Sequence, residues 1–124
     1  MPTDSNNQSY RPHERLRSKA EYERVLTRKC SARGKYLIVY GCENEAGHPR
    51  LGRVVGKRWG NAVARNRYRR WLREAFRRTK SAMPPIDIVV MIVQKHGMNY
   101  AAIEIELAPL ARQTQQKLRL KSAH

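Results

Sequence analysis

One amphipathic segment decides the fold: residues 60–76 read GNAVARNRYRRWLREAF. Asn61 is a favourable helix N-cap, because its side-chain oxygen can accept a hydrogen bond from a free backbone N–H group of the first turn. At 100° per residue, five side chains fall on an arc of about 140° that can face a core. They are Tyr68, Trp71, Leu72, Ala75 and Phe76. We therefore predict a helix over about 61–80 that buries one side.

The opposite side of this helix is strongly basic. Residues 50–80 contain 12 basic residues and a single acid, Glu74, for which Arg70 and Arg78 are the expected partners. The basic residues are Arg50, Arg53, Lys57, Arg58, Arg65, Arg67, Arg69, Arg70, Arg73, Arg77, Arg78 and Lys80. Like charges spaced four apart, as at Arg69, Arg73 and Arg77, destabilise an isolated helix, so solubility alone is a poor explanation for them. Arginine grips phosphate with two N–H groups, which favours a surface that binds a polyanion.

The helix N-terminus strengthens this interpretation. Arg65, Asn66 and Arg67 lie in the first turns, where free backbone N–H groups and the positive end of the helix dipole favour anions. Phosphate, or a metal ion bound to phosphate, is the expected ligand at this end of the helix.

The composition of the whole chain agrees. Of its 124 residues, 26 are Lys or Arg and 10 are Asp or Glu, which gives a formal net charge of +16. Nucleic acid is the leading partner for such a charge, and an anionic membrane surface comes second. The longest apolar run, residues 88–93, is far shorter than the roughly 20 residues that span a bilayer, and residues 1–11 lack the apolar centre of a secretion signal. We expect a cytoplasmic protein with no membrane partner, in which Cys30 and Cys42 are free thiols.

Outward from the central segment, the pattern predicts two further helices. Ser18 and Glu21 have the spacing of a capping box, followed by Tyr22, Val25 and Leu26 on one helical side. A final helix over about 100–118 contains Pro109, which should kink it or delay its start.

Three strands complete the expected fold. Residues 36–40 alternate, with Tyr36, Ile38 and Tyr40 on one face. Residues 51–57 form a second strand, and the turn-forming loop at 44–49 favours an antiparallel pair between the two. Gly52 and Gly56 share one face of this strand and mark a close approach of another backbone. Residues 87–94 are apolar on both faces and belong in the centre of the sheet.

These elements give an α+β fold, a two-layer α/β sandwich of order αββαβα, with an additional short strand left open. Residues 1–13 are expected to form a flexible N-terminal arm, residues 14–118 a single domain and residues 119–124 a basic C-terminal tail.

The central segment resembles the signature of the bacterial ribonuclease P protein family. The resemblance rests on Leu51-Gly52, on Lys57 and Arg58, and above all on the string GNAVxRNRxxRxxREAF, and it extends over about residues 16–118. It implies a ribosomal protein S5 domain 2-like fold, in which a left-handed βαβ crossover precedes the last strand. It also implies a basic protein that binds one catalytic RNA, which uses Mg²⁺ to remove the 5′ leader of precursor tRNA.

The resemblance also implies site residues. The RNA-facing set is Lys57, Arg58, Asn61, Arg65, Asn66, Arg67, Arg70 and Arg73, to which the basic side of the helix adds Arg69. The cleft for the single-stranded leader is formed by Tyr22, Leu26, Ile38 and Tyr40. Aromatic side chains beside basic ones suit stacking on single-stranded bases, although filling a core is the plainer explanation. Leu26 stands where the family often has an aromatic residue, and Arg53 replaces an apolar one, so this strand is expected to face solvent or RNA there.

The sequence offers no catalytic machinery of its own. His13, His48, His96 and His124 are scattered, the glutamates have no metal-ligand spacing, and direct protein ligands for a metal are unknown. Three alternatives remain open: a structural RNA-binding protein of ribosomal type, a DNA-binding protein that places the basic helix in the major groove, and a self-sufficient nuclease. Few Asn or Gln accompany the arginines, which disfavours base reading, and the chain is poor in the carboxylates that a two-metal nuclease needs.

Overall fold

The computed structural model describes residues 11–122, which form an α+β fold of a four-stranded sheet and three helices. The elements in chain order are α1 (Lys19–Thr27), β1 (Ser31–Arg33), β2 (Leu37–Glu43), β3 (Arg50–Val54), α2 (Ala62–Thr79), β4 (Ile86–Ile92) and α3 (Tyr100–Ser122). Single 3₁₀ turns lie at Pro12–Glu14, Lys57–Trp59 and Lys80–Ala82. This is the predicted order with the short strand β1 added.

The sheet order is β1-β2-β4-β3. Strand β4 is central, as predicted, and is antiparallel to β2 and parallel to β3. The predicted antiparallel pair of β2 and β3 is wrong, because β4 lies between them. A strand that is apolar on both faces buries most when it has neighbours on both sides, and the loop at 44–49 only carries the chain past it. Helix α2 makes the crossover between β3 and β4, and its left-handedness stays a prediction.

Helices α2 and α3 cover one face of the sheet and enclose the main core. Leu72 and Phe76 of α2 and Leu107 of α3 have no exposed surface there. Tyr68 and Trp71 are half-buried at its margin, so the predicted inner side of α2 is confirmed.

Helix α3 runs without interruption through Pro109 and ends at Ser122. It neither starts late nor stops at residue 118, and residues 119–122, assigned to the basic tail, form its last turn. Pro109 is tolerated because it lies on the exposed side, where water can satisfy the backbone carbonyl that loses its helical partner.

Helix α1 packs on the opposite face, against β2 and β4. The predicted capping box is present: Ser18 Oγ accepts from the Glu21 N–H group at 3.1 Å, and Glu21 Oε1 accepts from the Ser18 N–H group at 3.0 Å. Val25 is fully buried beside Val89. Because α1 has only nine residues, it covers one end of this face and leaves the other end open.

The chain before α1 is tied to the end of α2. Most of the predicted arm, residues 1–10, lies outside the described residues, and Pro12–Glu14 form a 3₁₀ turn. Glu14 is 5 % exposed and pairs with Lys80 at 2.8 Å. Burial alone would raise the pKa of Glu14, but hydrogen bonds from the Lys80 ammonium and the Arg11 N–H group outweigh it and hold that pKa below its ordinary value.

Candidate nucleic-acid interface

A sharp turn sets the start of α2. Strand β3 ends at Val54, so Lys57 lies in the 3₁₀ turn and not in the strand as predicted. Gly60 follows with a φ of 135°, a conformation that glycine adopts without strain. Asn61 then caps the helix, its Oδ1 accepting from the Ala64 N–H group at 2.9 Å. This geometry places Lys57 and Arg58 beside the first turn of α2.

Several of the basic residues in 50–80 are already engaged within the protein. Arg50 pairs with Asp87 at 2.6 Å, Arg77 with Glu74 at 2.8 Å and Arg78 with Glu104 at 3.1 Å. Neither predicted partner of Glu74 is therefore confirmed: Arg77 takes it, and its hydrogen bond holds the pKa of Glu74 below the ordinary value.

Arg53 is also engaged. Its replacement of an apolar residue led us to expect that the strand faces solvent or RNA at this position, and Arg53 is half-buried there. Its guanidinium donates to the Arg69 carbonyl of α2 at 3.0 Å, on the main-core side of the sheet.

A smaller set remains available on the outer side of α2. Arg67, Arg70 and Arg73 are exposed, and within residues 11–122 Arg67 and Arg70 make no side-chain hydrogen bond or ion pair. Lys57 and Arg58 are exposed at the adjoining turn, and Arg58 lies over the Trp59 ring at 4.6 Å. We call these five residues the basic surface.

Three predicted RNA-facing residues also hold the local structure. Arg65 Nε donates to the Gly60 carbonyl at 3.2 Å. Arg69 donates to Asn66 Oδ1 at 3.1 Å and to the Val55 carbonyl at 3.4 Å. These bonds fasten the first turns of α2 to the end of β3, so Arg65, Asn66 and Arg69 position the basic surface while they flank it.

The four residues predicted for the cleft lie together on the α1 side of the sheet. Tyr22, Leu26 and Tyr40 are half-buried against the cluster that contains Val25 and Val89, and half-buried Ile38 shares their face through its pairing with Met91. Met91 belongs to the same group and was missed, because a strand apolar on both faces gives no sign of which residues stay accessible. We call these five side chains, Tyr22, Leu26, Ile38, Tyr40 and Met91, the α1 groove.

Tyr22 and Tyr36 differ in position. The Tyr22 ring lies over Gly52, where an added Cβ would stand 2.8 Å from the ring, and its hydroxyl accepts from the Arg53 N–H group at 3.1 Å. Tyr36 was predicted on the same face as Ile38 and Tyr40, and this is wrong: it lies just before β2, is 8 % exposed and packs in the main core on the other face.

The acids near the groove are neutralised. Asp87 has no exposed surface and accepts from Arg24, from Asn44 at 2.7 Å and twice from Arg50, at 2.7 and 2.6 Å. The Asp87 carboxylate in turn raises the pKa of Arg50 above its ordinary value. A polyanion on this face therefore meets no unpaired negative charge at Asp87.

The described residues gather no protein metal site. Within residues 11–122 no group of three or more His, Cys, Asp or Glu side chains could hold a metal ion. Cys30 and Cys42 are free, as expected, and burial raises the pKa of the Cys42 thiol. In the same part of the chain no helix is both long enough and apolar enough to cross a membrane.

Comparison with known proteins identifies the family. Residues 10–115 match the family model described as Ribonuclease P. The chain is 36% identical over 103 residues to the ribonuclease P protein component of Syntrophobacter fumaroxidans, which covers 82% of this chain and 87% of the relative. It is 33% identical over 98 residues to that of Thermotoga maritima, covering 78% and 84%.

Solved structures give the same result. The ribonuclease P protein of Thermotoga maritima superposes with a TM-score of 0.73 at 31% identity, over 81% of this chain and 96% of that one. The Staphylococcus aureus protein gives 0.71 at 34% identity, over 80% and 93%. With a family model that matches residues 10–115 and solved structures of the same fold at 31% and 34% identity, the chain belongs to the ribonuclease P protein family.

Proposed function

We propose that this chain is the RNA-binding protein subunit of ribonuclease P, which binds one catalytic RNA and the 5′ leader of precursor tRNA in the cytoplasm. The basic surface would contact the phosphate backbone of the catalytic RNA. The α1 groove would receive the single-stranded leader, so that the holoenzyme prefers precursor over mature tRNA. The product is tRNA with a mature 5′ end.

One observation carries the proposal. The exposed arginines Arg67 and Arg70 have no partner within the described residues, whereas Arg50, Arg77 and Arg78 are all paired with acids. A surface that served only solubility would not separate paired from unpaired arginines in this way. Unpaired, exposed guanidinium groups on the outer side of a helix are suited to phosphate.

The chemistry is assigned to the RNA subunit and its bound Mg²⁺. The described part of the protein does not gather the carboxylates that a two-metal phosphodiester hydrolysis requires. The protein would therefore contribute positioning and charge neutralisation, and we expect the protein alone to be inactive. A structural RNA-binding role of ribosomal type is the second candidate, since the basic surface by itself would serve it equally well.

The first experiment is reconstitution. Purified protein is mixed with a bacterial ribonuclease P RNA and a 5′-labelled precursor tRNA at low Mg²⁺ and near-physiological salt, beside reactions that lack either the protein or the RNA. We expect cleavage at the mature 5′ end only in the complete mixture. Tight RNA binding without cleavage would favour the ribosomal-type role, and cleavage by protein alone would overturn the proposal.

The basic surface is tested by Arg67→Ala with Arg78→Ala as the matched control. Both remove one exposed arginine from α2, but Arg78 is paired with Glu104. Arg67→Ala should weaken binding of the catalytic RNA and lower the slope of log K against log salt by about 0.9 per lost phosphate contact. Equal losses in the two variants would contradict the assignment.

The first turn is tested by Arg65→Ala. We expect holoenzyme activity to fall more at low Mg²⁺ than at high Mg²⁺, because Mg²⁺ can replace protein charge in holding the folded RNA. Equal loss at both concentrations would show that this end of α2 does not support metal-dependent assembly.

The α1 groove is tested by Tyr40→Ala. It should weaken binding of precursor tRNA by roughly 1–3 kcal/mol, the value of one stacked base, and leave binding of mature tRNA unchanged. Parallel losses for the two tRNAs would refute the groove as the leader site.

A further inference from the structure

The register of the sheet aligns one row of residues across all four strands on the α1 side. Val54 of β3 pairs with Met91 of β4, Met91 pairs with Ile38 of β2, and Ile38 pairs with Arg33 of β1. Directly paired residues project from the same face, so these four side chains form a continuous line. Three spacings between strands make this line roughly 14 Å long.

This row is the most open one on the α1 face. In the next row, Val89 is fully buried and the Tyr22 ring covers Gly52. In the row beyond, Asp87 is sealed by arginines from α1 and β3. In the open row, by contrast, Val54 is 36 % exposed, Met91 and Ile38 are half-buried and Arg33 is exposed.

The middle of the row is apolar and its β1 end is basic. Beyond Val54 the chain turns into the basic surface through Val55, whose carbonyl binds Arg69. At the other end the Arg33 side chain makes no hydrogen bond or ion pair within residues 11–122. Glu106, which lies against neighbouring Gly34, is committed to the N–H groups of Tyr36 and Leu37.

We propose that Arg33 is a phosphate-binding residue for the leader, at the end of this row away from α2. The inference rests on the proposed function and names a contact beyond the predicted cleft. Bases of a single strand would lie on Met91 and Ile38, and the backbone leaving the groove over β1 would meet the Arg33 guanidinium. An apolar floor that ends at a cation is suited to stacked bases followed by a backbone phosphate in single-stranded RNA.

Protection of the sheet edge is the competing explanation for Arg33, since charged residues on edge strands discourage pairing with other chains. That role is already served at β1 by Lys117, whose Nζ donates to the Ser31 carbonyl at 2.7 Å. If Arg33 only protected the edge, its removal would not change how kcat/KM depends on leader length. This difference allows the two explanations to be separated.

The experiment measures kcat/KM of the reconstituted holoenzyme on precursor tRNAs whose leaders increase one nucleotide at a time. The variants are Arg33→Ala and Arg33→Lys, with Arg119→Ala as the control. Arg119 is an exposed arginine on α3, which packs on the other face of the sheet. Urea unfolding of each variant checks that stability is unchanged, as expected for exposed side chains.

We expect Arg33→Ala to lower kcat/KM about fivefold on long leaders and to leave it unchanged on leaders too short to cross β1. On long leaders, the slope of log kcat/KM against log salt should decrease by about 0.7, the value of one single-strand phosphate contact. Arg33→Lys should retain most of the activity because it keeps the charge, and Arg119→Ala should match the unmodified protein at every length.

Two outcomes would overturn the inference: no loss for Arg33→Ala at any length, or an equal loss on short and long leaders, which would place Arg33 against the catalytic RNA. Failure of the proposed function looks different. In that case kcat/KM of the holoenzyme with the unmodified protein does not depend on leader length, and Tyr40→Ala does not change the binding of precursor tRNA.

Discussion

At the scale of single residues, Gly52 determines the position of Tyr22, which forms one side of the α1 groove. Because it has no side chain, the Tyr22 ring can lie on β3 and its hydroxyl can reach the Arg53 N–H group. A strand glycine predicts the close approach of another group. From the sequence alone we expected another backbone to approach Gly52, whereas in the structure the Tyr22 ring does so.

Gly52→Ala should therefore push Tyr22 out of place. The added Cβ would stand 2.8 Å from two ring carbons, and such overpacking costs about 1–3 kcal/mol in the free energy of unfolding. Gly56→Ala is the matched control, since no atom lies within 4 Å of an added Cβ there. Urea denaturation of both variants checks this, and equal stability would contradict the placement of Tyr22.

Asp87 joins α1, β3 and β4 through one buried carboxylate. Its partners Arg24, Asn44 and Arg50 come from three separate segments of the chain. In the sequence Asp87 is only the polar first residue of an apolar strand, so its role could not be foreseen.

Asp87→Asn should destabilise the fold by about 3 kcal/mol, because two arginines keep their charge beside a neutral amide at a buried position. Glu23→Gln, which removes only an exposed pair with Lys19, should cost less than about 1 kcal/mol. Guanidinium unfolding compares the two, and similar small effects would show that Asp87 is dispensable.

At the scale of elements, α2 was largely predictable and its partners were not. Its cap at Asn61 and its buried Leu72 and Phe76 follow from local spacing alone, so the helix and its basic side could be placed. Which arginines remain available depends on acids remote in sequence, such as Asp87 and Glu104. For the same reason the strands could be predicted, but their order in the sheet could not. Residues 44–49 resemble a hairpin loop between β2 and β3, and only the position of β4 between these two strands excludes the hairpin.

The last turn of α3 is fastened to α1 and β2 by Glu43. Its carboxylate accepts from Arg28 at 2.9 Å and from the Ser122 hydroxyl at 2.9 Å. These groups, the Arg28 hydrogen bond first among them, lower the pKa of Glu43 to about 2. Residues 119–122 are thus held by a specific contact.

This contact predicts a pH dependence. A carboxyl whose pKa is lowered by folding stabilises the protein above its unfolded value of 4.5, and the contribution is lost as pH falls towards about 2. The stability advantage of the unmodified protein over Glu43→Gln should therefore be present at neutral pH and shrink between pH 4.5 and 2. Thermal unfolding across this range, with exposed Glu45→Gln in parallel, measures it; an advantage independent of pH would contradict the pairing.

At the scale of the whole molecule, the net charge of +16 acts against the fold. The ion pairs at Asp87, Glu14 and Glu74 reduce the repulsion among the basic side chains. The positive charges of the basic surface still repel one another. A protein of this kind is expected to gain stability from any polyanion that binds the folded state and not the unfolded one.

The melting temperature should accordingly rise when NaCl is increased from about 20 to 500 mM, because salt screens repulsion among exposed charges. Phosphate at the same ionic strength should raise it further by binding the basic surface. Arg67→Ala should reduce the phosphate increment but not the NaCl effect. A fall in Tm with salt would mean that the ion pairs outweigh the repulsion.

The central place of β4 has a consequence for how the chain reaches this structure. While the protein is being synthesised, β3 has no strand beside it, apart from one bridge at Arg15, until residues 86–92 have been added. Only β1 and β2 can pair early, from local contacts. The middle strand of the sheet is made after the other three and closes the long-range contacts on both of its sides together, so folding is expected to be slower than that of a helical bundle. A nascent chain that ends before residue 86 carries the basic helix but has only the β1–β2 pair, without the central strand that joins it to β3.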